Sequence, residues 1–146
     1  MINDPKQIVG GTSEDAELLH ALAHATDNLL MRSEADYPFT VVRFDDIDED
    51  ALPAHLRALV APQSDTVNVE TTTVEFFFRV ATKHADWHDA TEHERTRRFQ
   101  ALVRILTQSL QDIRVYRIGT PDIIIFIVGQ SASGAWLGLR TRVIET

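Results

Sequence analysis

The chain has 146 residues, 44% hydrophobic and 25% charged, which describes one ordinary domain with enough apolar side chains for a core. Its 22 acidic and 14 basic residues give a formal net charge of −8, so the surface repels nucleic acid and anionic lipid and suits a cationic protein partner, while acidity also serves plain solubility. Cysteine is absent, which excludes disulfides, thiol catalysis and Cys-ligated zinc; with no apolar leader after Met1 and no apolar run longer than Ile123–Val128, the expectation is a cytoplasmic protein that does not span a membrane.

In chain order, residues 1–11 read as a loose lead-in ending in Gly10-Gly11. A helix follows, with Thr12 as cap, Asp15 in the capping-box position and Leu18, Leu22, Ala25 and Leu29 on one face. Pro38 disfavours helical geometry at Tyr37, so the helix ends by the Ser33–Pro38 segment. Phe39–Phe44 is aromatic and β-branched and predicts a strand. An acidic stretch, Asp45–Asp50, precedes a short helix marked by Leu52, Leu56, Leu59 and Val60, with Pro53 near its first turn. Val67 and Val69 alternate with polar residues as in a strand. Thr72 and Glu75 form a second capping-box pattern before a short helix over Thr73–Val80, although three consecutive phenylalanines also suit a strand.

Thr91 and Glu94 introduce the clearest helix, with Phe99, Leu102, Val103, Leu106 and Leu110 on its buried face. Three strands close the chain: Ile113–Ile118, the continuously apolar Ile123–Val128, and Ala135–Ile144, with turns at Gly119-Thr120-Pro121 and Ser131–Gly134. Burying the Ile-rich strand on both faces requires helices on both sides, so the expected fold is a single α/β domain, a three-layer α/β/α sandwich around a mixed sheet.

Tests for catalytic patterns mostly fail. No phosphate-cradling glycine loop occurs, and Ser131–Gly134 is a turn between strands rather than a nucleophile elbow. Asp46–Asp50 begins like a calcium loop, but Ala51 stands where glycine is needed and Arg57 where a bidentate glutamate is needed. Its charge can still steer a cationic partner. His84, His88 and His93 are spaced so that two imidazoles could grip one metal on a helix, but Ala85 replaces the glutamate of the zinc-protease pattern. These histidines read as exposed loop residues, with a metal site as the sharper alternative. Arg95, Arg97, Arg98 and Arg104 share a helix with enough acids to cancel a nucleic-acid patch. Residue spacing alone therefore favours a binding protein over an enzyme.

Four stretches carry a family resemblance: Leu29-Leu30-Met31-Arg32-Ser33-Glu34-Ala35-Asp36-Tyr37-Pro38-Phe39; Phe76–Thr82 followed by Asp86-Trp87; Phe99-Gln100 with Val115-Tyr116-Arg117-Ile118-Gly119; and Val143-Ile144-Glu145-Thr146. In this order and spacing, from about Leu18 to Thr146, the chain resembles the bacterial nuclease A inhibitor family. The resemblance implies a PR-1-like α/β/α sandwich and a non-enzymatic inhibitor of a sugar-nonspecific DNA/RNA endonuclease of the ββα-metal class. It implies partner-binding roles for Glu34, Asp86, Trp87 and Thr146. Thr146 would offer oxygens to the partner's Mg²⁺, and the chain would carry no cofactor of its own.

The acidic side chains would imitate phosphate oxygens toward the partner's arginines, and Trp87 would be an aromatic anchor. The chain departs from the family pattern in its longer start before Leu18, its acidic content over Asp45–Asp65, and the histidines flanking Asp86-Trp87. The competing expectations are a binding or regulatory module with another protein partner, and a metal-dependent enzyme built on the three histidines.

Overall fold

A computed structural model describes residues 10–146, with side chains from Ser13 onward. Most of the expected lead-in and the side chain of Thr12 lie outside the described residues. Helix α1 spans Gly10–Ala25, so Gly10 and Gly11 belong to it. It stops short of Leu29 because Thr26 turns its hydroxyl back onto the Leu22 carbonyl at 2.8 Å and Asn28 takes a left-handed φ of 58°. Leu29 is nonetheless buried in the same cluster as Leu22. Asp15 is no cap: it is 1% exposed and accepts a hydrogen bond from Ser133 Oγ, with Arg43 Nη1 at 3.5 Å.

Two short strands, β1 (Leu30–Met31) and β2 (Tyr37–Pro38), pair antiparallel and hold residues 32–36 as a loop between them. The main sheet contains β3 (Thr40–Phe44), β4 (Val69–Thr72), β5 (Gln111–Ile118), β6 (Asp122–Gln130) and β7 (Trp136–Ile144), in the order β3-β7-β6-β5-β4. Every pairing is antiparallel, which corrects the expected mixed sheet. The physical reason is local: the short turns at Gly119–Pro121 and Ser131–Gly134 join β5, β6 and β7 as hairpins, and only antiparallel neighbours can be joined so briefly. Gly138 is required inside β7, because any Cβ there would sit 1.8 Å from the Ile127 carbonyl oxygen.

The central strand β6 alternates strictly. Ile123, Ile125 and Ile127 join a cluster with Leu22, Phe78, Phe99, Leu102 and Leu106. Phe126 and Val128, with Ile124 packed against them, join the other cluster, with Leu52, Leu56 and Trp136. Helix α2 (Leu52–Val60), with Pro53 in its first turn and a short 3-10 turn at Glu49–Ala51 before it, supplies that second cluster.

Helix α3 is only Val74–Phe77, and its cap is Thr73, whose hydroxyl accepts the Phe76 amide at 3.0 Å; Thr72 is the last residue of β4. Helix α4 (Ala90–Ser109) is capped not by Thr91 but by Asp89, which has extended backbone and accepts the Glu92 amide at 2.8 Å. None of the described helices is long and apolar enough to cross a membrane.

Candidate functional site

The Arg32–Asp36 loop and the end of the chain form one unit. Ser33 Oγ donates to the Ala35 carbonyl at 2.6 Å and accepts the Ile144 amide at 3.0 Å, while the Glu34 amide donates to the Ile144 carbonyl at 3.3 Å. The Glu34 carboxylate accepts the Thr146 amide at 2.7 Å and the Thr146 hydroxyl at 3.0 and 2.8 Å. Those donors, hydroxyl first and amide second, hold the Glu34 carboxyl below the usual glutamate range. The Glu145 amide donates to the Pro121 carbonyl at 2.9 Å and its side chain meets Arg117 at 2.7 Å. The last residues are therefore fixed from three directions, yet both Glu34 and Thr146 remain exposed. Glu34 and Thr146, singled out separately in the sequence, are brought into direct contact.

Asp86 and Trp87 occupy the middle of a tight turn. The His88 amide donates to the Ala85 carbonyl at 3.0 Å and the Ala85 amide donates to His88 Nδ1 at 3.1 Å, so the turn is closed twice. Its two central residues consequently project outward, and Trp87 is 77% exposed. Gln100 on α4 anchors the preceding segment by donating to the Thr82 carbonyl at 2.9 Å.

Arg32 links the two loops. It donates two hydrogen bonds to Glu92, at 2.8 and 2.9 Å, on the first turn of α4. A groove of about 480 Å³ runs along Glu145, Ser33, Phe76 and Val80, and a smaller one runs along Val80, Trp87 and His88; both are walled by Met31, Arg32 and Phe77. Ser33 and Glu145, next to Glu34 and Thr146, and Trp87 of the turn thus line two grooves that share Met31, Arg32, Phe77 and Val80. Phe76 and Val80, which are 56% and 78% exposed, add apolar area to them. The sequence places both in the expected Thr73–Val80 helix, which in the structure ends at Phe77. The available signal was geometric: consecutive helical residues point about 100° apart, so Phe76, Phe77 and Phe78 cannot all face the core, and only Phe77 and Phe78 are buried.

The remaining candidates sort differently. The acidic stretch follows Phe44, which pairs with Trp136 at the start of β7, so it lies at the other end of that strand from Thr146. Asp45 pairs with Arg43 at 3.1 Å and Glu49 with Arg114 at 3.0 Å. Of the helical arginines, Arg98 donates to the Ala25 and Asp27 carbonyls, Arg95 to the Leu30 carbonyl, and Arg97 pairs with Glu94. Those three tie α4 to its neighbours or to itself rather than presenting a phosphate-binding row. The Ser131–Gly134 turn spends Ser133 on Asp15.

Among the described residues, one group of side chains is arranged to hold a metal ion: His84, His88 and His93, whose candidate ligand atoms all lie within 4.8 Å of one another. These are not dispersed loop histidines, since His88 and His93 are half-buried and the His84 and His93 Nδ1 atoms are 2.7 Å apart.

No curated protein matches the chain at a significant level. The sequence model of the family described as nuclease A inhibitor-like protein matches residues 16–146, spanning the Arg32–Asp36 loop, the Asp86-Trp87 turn and residues 143–146, and the protein therefore belongs to the nuclease A inhibitor-like family.

Proposed function

We propose that this protein binds a sugar-nonspecific DNA/RNA endonuclease of the ββα-metal class and blocks its active site, without turnover of its own. Family membership supports the general role. The observation that carries the mechanism is the exposed Thr146 held against the Glu34 carboxylate by both its amide and its hydroxyl. A hard divalent cation such as Mg²⁺ takes oxygen ligands. Thr146, held in place by Glu34, offers its hydroxyl and chain-end oxygens in one exposed place, a donor set that suits the partner's Mg²⁺. Glu34 then has two functions: it fixes the Thr146 hydroxyl and amide, and its remaining lone pairs face outward for arginines that normally grip phosphate.

Asp86 and Trp87 form the second contact. The doubly closed turn holds them out of the domain before any partner arrives, so little backbone ordering opposes binding. Trp87, sharing a groove with Val80, supplies the aromatic anchor, and Phe76 adds apolar area along the adjoining groove, as protein interfaces favour. The net charge of −8 attracts a phosphate-binding cleft from a distance. Within this reading the sheet with helices against its two faces is the three-layer, PR-1-like sandwich implied by the family resemblance.

The test is a titration of such a nuclease on plasmid DNA. Inhibition saturating near one protein per nuclease is expected, and extension of the chain by a few residues after Thr146 should raise the concentration needed by at least tenfold. Unchanged potency of the extended protein contradicts the metal-plug mechanism. No inhibition by the unextended protein leaves a binding module directed at another partner.

A further inference from the structure

Of the three histidines at the base of the Asp86-Trp87 turn, the inhibitor mechanism uses only His88, to close the turn, and none of them touches the nuclease in it. We propose that His84, His88 and His93 form a binding site for one divalent transition-metal ion of borderline softness, Zn²⁺ being the reference case. Imidazole nitrogens suit such ions. Three protein ligands with a fourth position left to water is an established zinc arrangement. The three rings come from two adjoining pieces of chain: His84 and His88 from the turn, His93 from the first turn of α4. Their ring centroids lie 4.8 Å apart for His84 and His93 and 5.3 Å apart for His88 and His93. Ligand nitrogens on a tetrahedral zinc, with bonds of about 2.0–2.1 Å, lie roughly 3.3 Å from each other. The mutual spacing of up to 4.8 Å, with one pair at 2.7 Å, brackets that value, so small side-chain rotations suffice.

The positively charged neighbour, Arg97, is drawn toward Glu94 at 3.0 Å. Without an ion, His84 and His93 face each other through nitrogens that must share one proton between them. An ion replaces that contact with two bonds.

The site is coupled to the turn above it. His88 Nδ1 already spends its lone pair on the Ala85 amide. An ion ligated by that nitrogen displaces the amide, and an ion ligated by Nε2 requires the other tautomer and loses the same bond. Either route alters the closure of the turn that presents Asp86 and Trp87. The Trp87 ring, with its centroid 4.3 Å from that of His88, is therefore a built-in reporter.

The experiment uses the untagged full chain, equilibrated with Zn²⁺, desalted and analysed for metal, with Trp fluorescence followed during titration. One zinc per chain is expected, with a fluorescence change that disappears in Trp87→Phe. His84→Ala, His88→Ala and His93→Ala should each weaken binding by about tenfold or more, while His20→Ala leaves it unchanged. Far-UV circular dichroism establishes that each variant is folded. Failure of the folded wild-type chain to retain zinc, or equal retention by His84→Ala and His93→Ala, overturns the proposal. Because no nuclease is present, the result is independent of the inhibitor reading.

Discussion

Strand β7 has nine residues, about 30 Å at 3.3 Å per residue, and the protein treats its two ends in opposite ways. At the Trp136 end polar groups are turned inward and matched. Trp136 is 1% exposed and its indole N–H donates to the Ile47 carbonyl at 2.8 Å; Asp15, equally buried, serves Ser133 and Arg43. At the Ile144 end the matched groups are turned outward. Glu34 and Thr146 satisfy each other while exposed, and the chain's second tryptophan, Trp87, is 77% exposed with its ring edge-on to His88. Burial of Trp136 stabilises the domain. The exposed Trp87 leaves most of its apolar area uncovered by the domain, available to a partner. Polar satisfaction at the first end is buried; at the second it is exposed, as the proposed inhibitory surface requires.

Four substitutions or conditions sharpen that contrast, taken from the largest effect to the smallest. Trp136→Ala should cost about 3–5 kcal/mol of stability, as large aromatic deletions in cores do, measured by urea unfolding. Trp87→Ala should leave the unfolding midpoint within about 0.5 kcal/mol yet weaken nuclease inhibition by about 2 kcal/mol or more, roughly thirtyfold. Equal stability losses in the two variants would erase the distinction between the ends. Asp15→Ala removes the buried carboxylate that accepts from the Ser133 hydroxyl and pairs with Arg43, so a loss of about 1–3 kcal/mol is expected, with inhibition per folded molecule unchanged.

The smallest effect is a pH dependence. Glu34 has a folded-state pKa below its unfolded one, because Thr146 donates to its charged form. Its stabilising contribution is present above the usual glutamate pKa of about 4.3 and is lost as pH falls through the depressed folded value. The Thr146 amide resonance should follow a titration with a midpoint below that of a free glutamate, and Glu34→Gln should abolish it. A midpoint at or above the ordinary value would mean that the Glu34–Thr146 contact does not persist in solution.

Much of the framework was legible because the physics that sets it is local. The alternation of Ile123–Val128 between two faces, the hairpin turns around it and the stripe through Phe99, Leu102 and Leu106 follow from residue period alone. Cap residues were misplaced by a position or two, since Thr72, Thr73, Asp89 and Thr91 are all competent caps and only backbone geometry selects Thr73 and Asp89. Asp15 looked like a cap because its partners, Ser133 and Arg43, are far away in sequence. Strand direction was not encoded in hydrophobicity at all, which is why a sheet read as mixed proved antiparallel.

In the candidate site, Glu34, Asp86, Trp87 and Thr146 were nameable only through resemblance. Their pairing, the bridging role of Arg32, and the convergence of His84 and His88 with His93 depend on contacts between distant segments. The acidic stretch attracted notice by composition, yet Asp45 and Glu49 are paired within the domain and lie at the opposite end of β7 from Thr146.

The central claim, that the outward-facing end is the inhibitory surface, is tested most directly by hydrogen–deuterium exchange of this protein with and without an inhibited ββα-metal nuclease. The predicted footprint is slowed exchange at residues 32–36, 84–88 and 143–146, with Asp45–Asp50 and Ser131–Gly134 unchanged. Protection confined to those latter segments, with the Glu34 loop and the Trp87 turn exchanging as in the free protein, would contradict it.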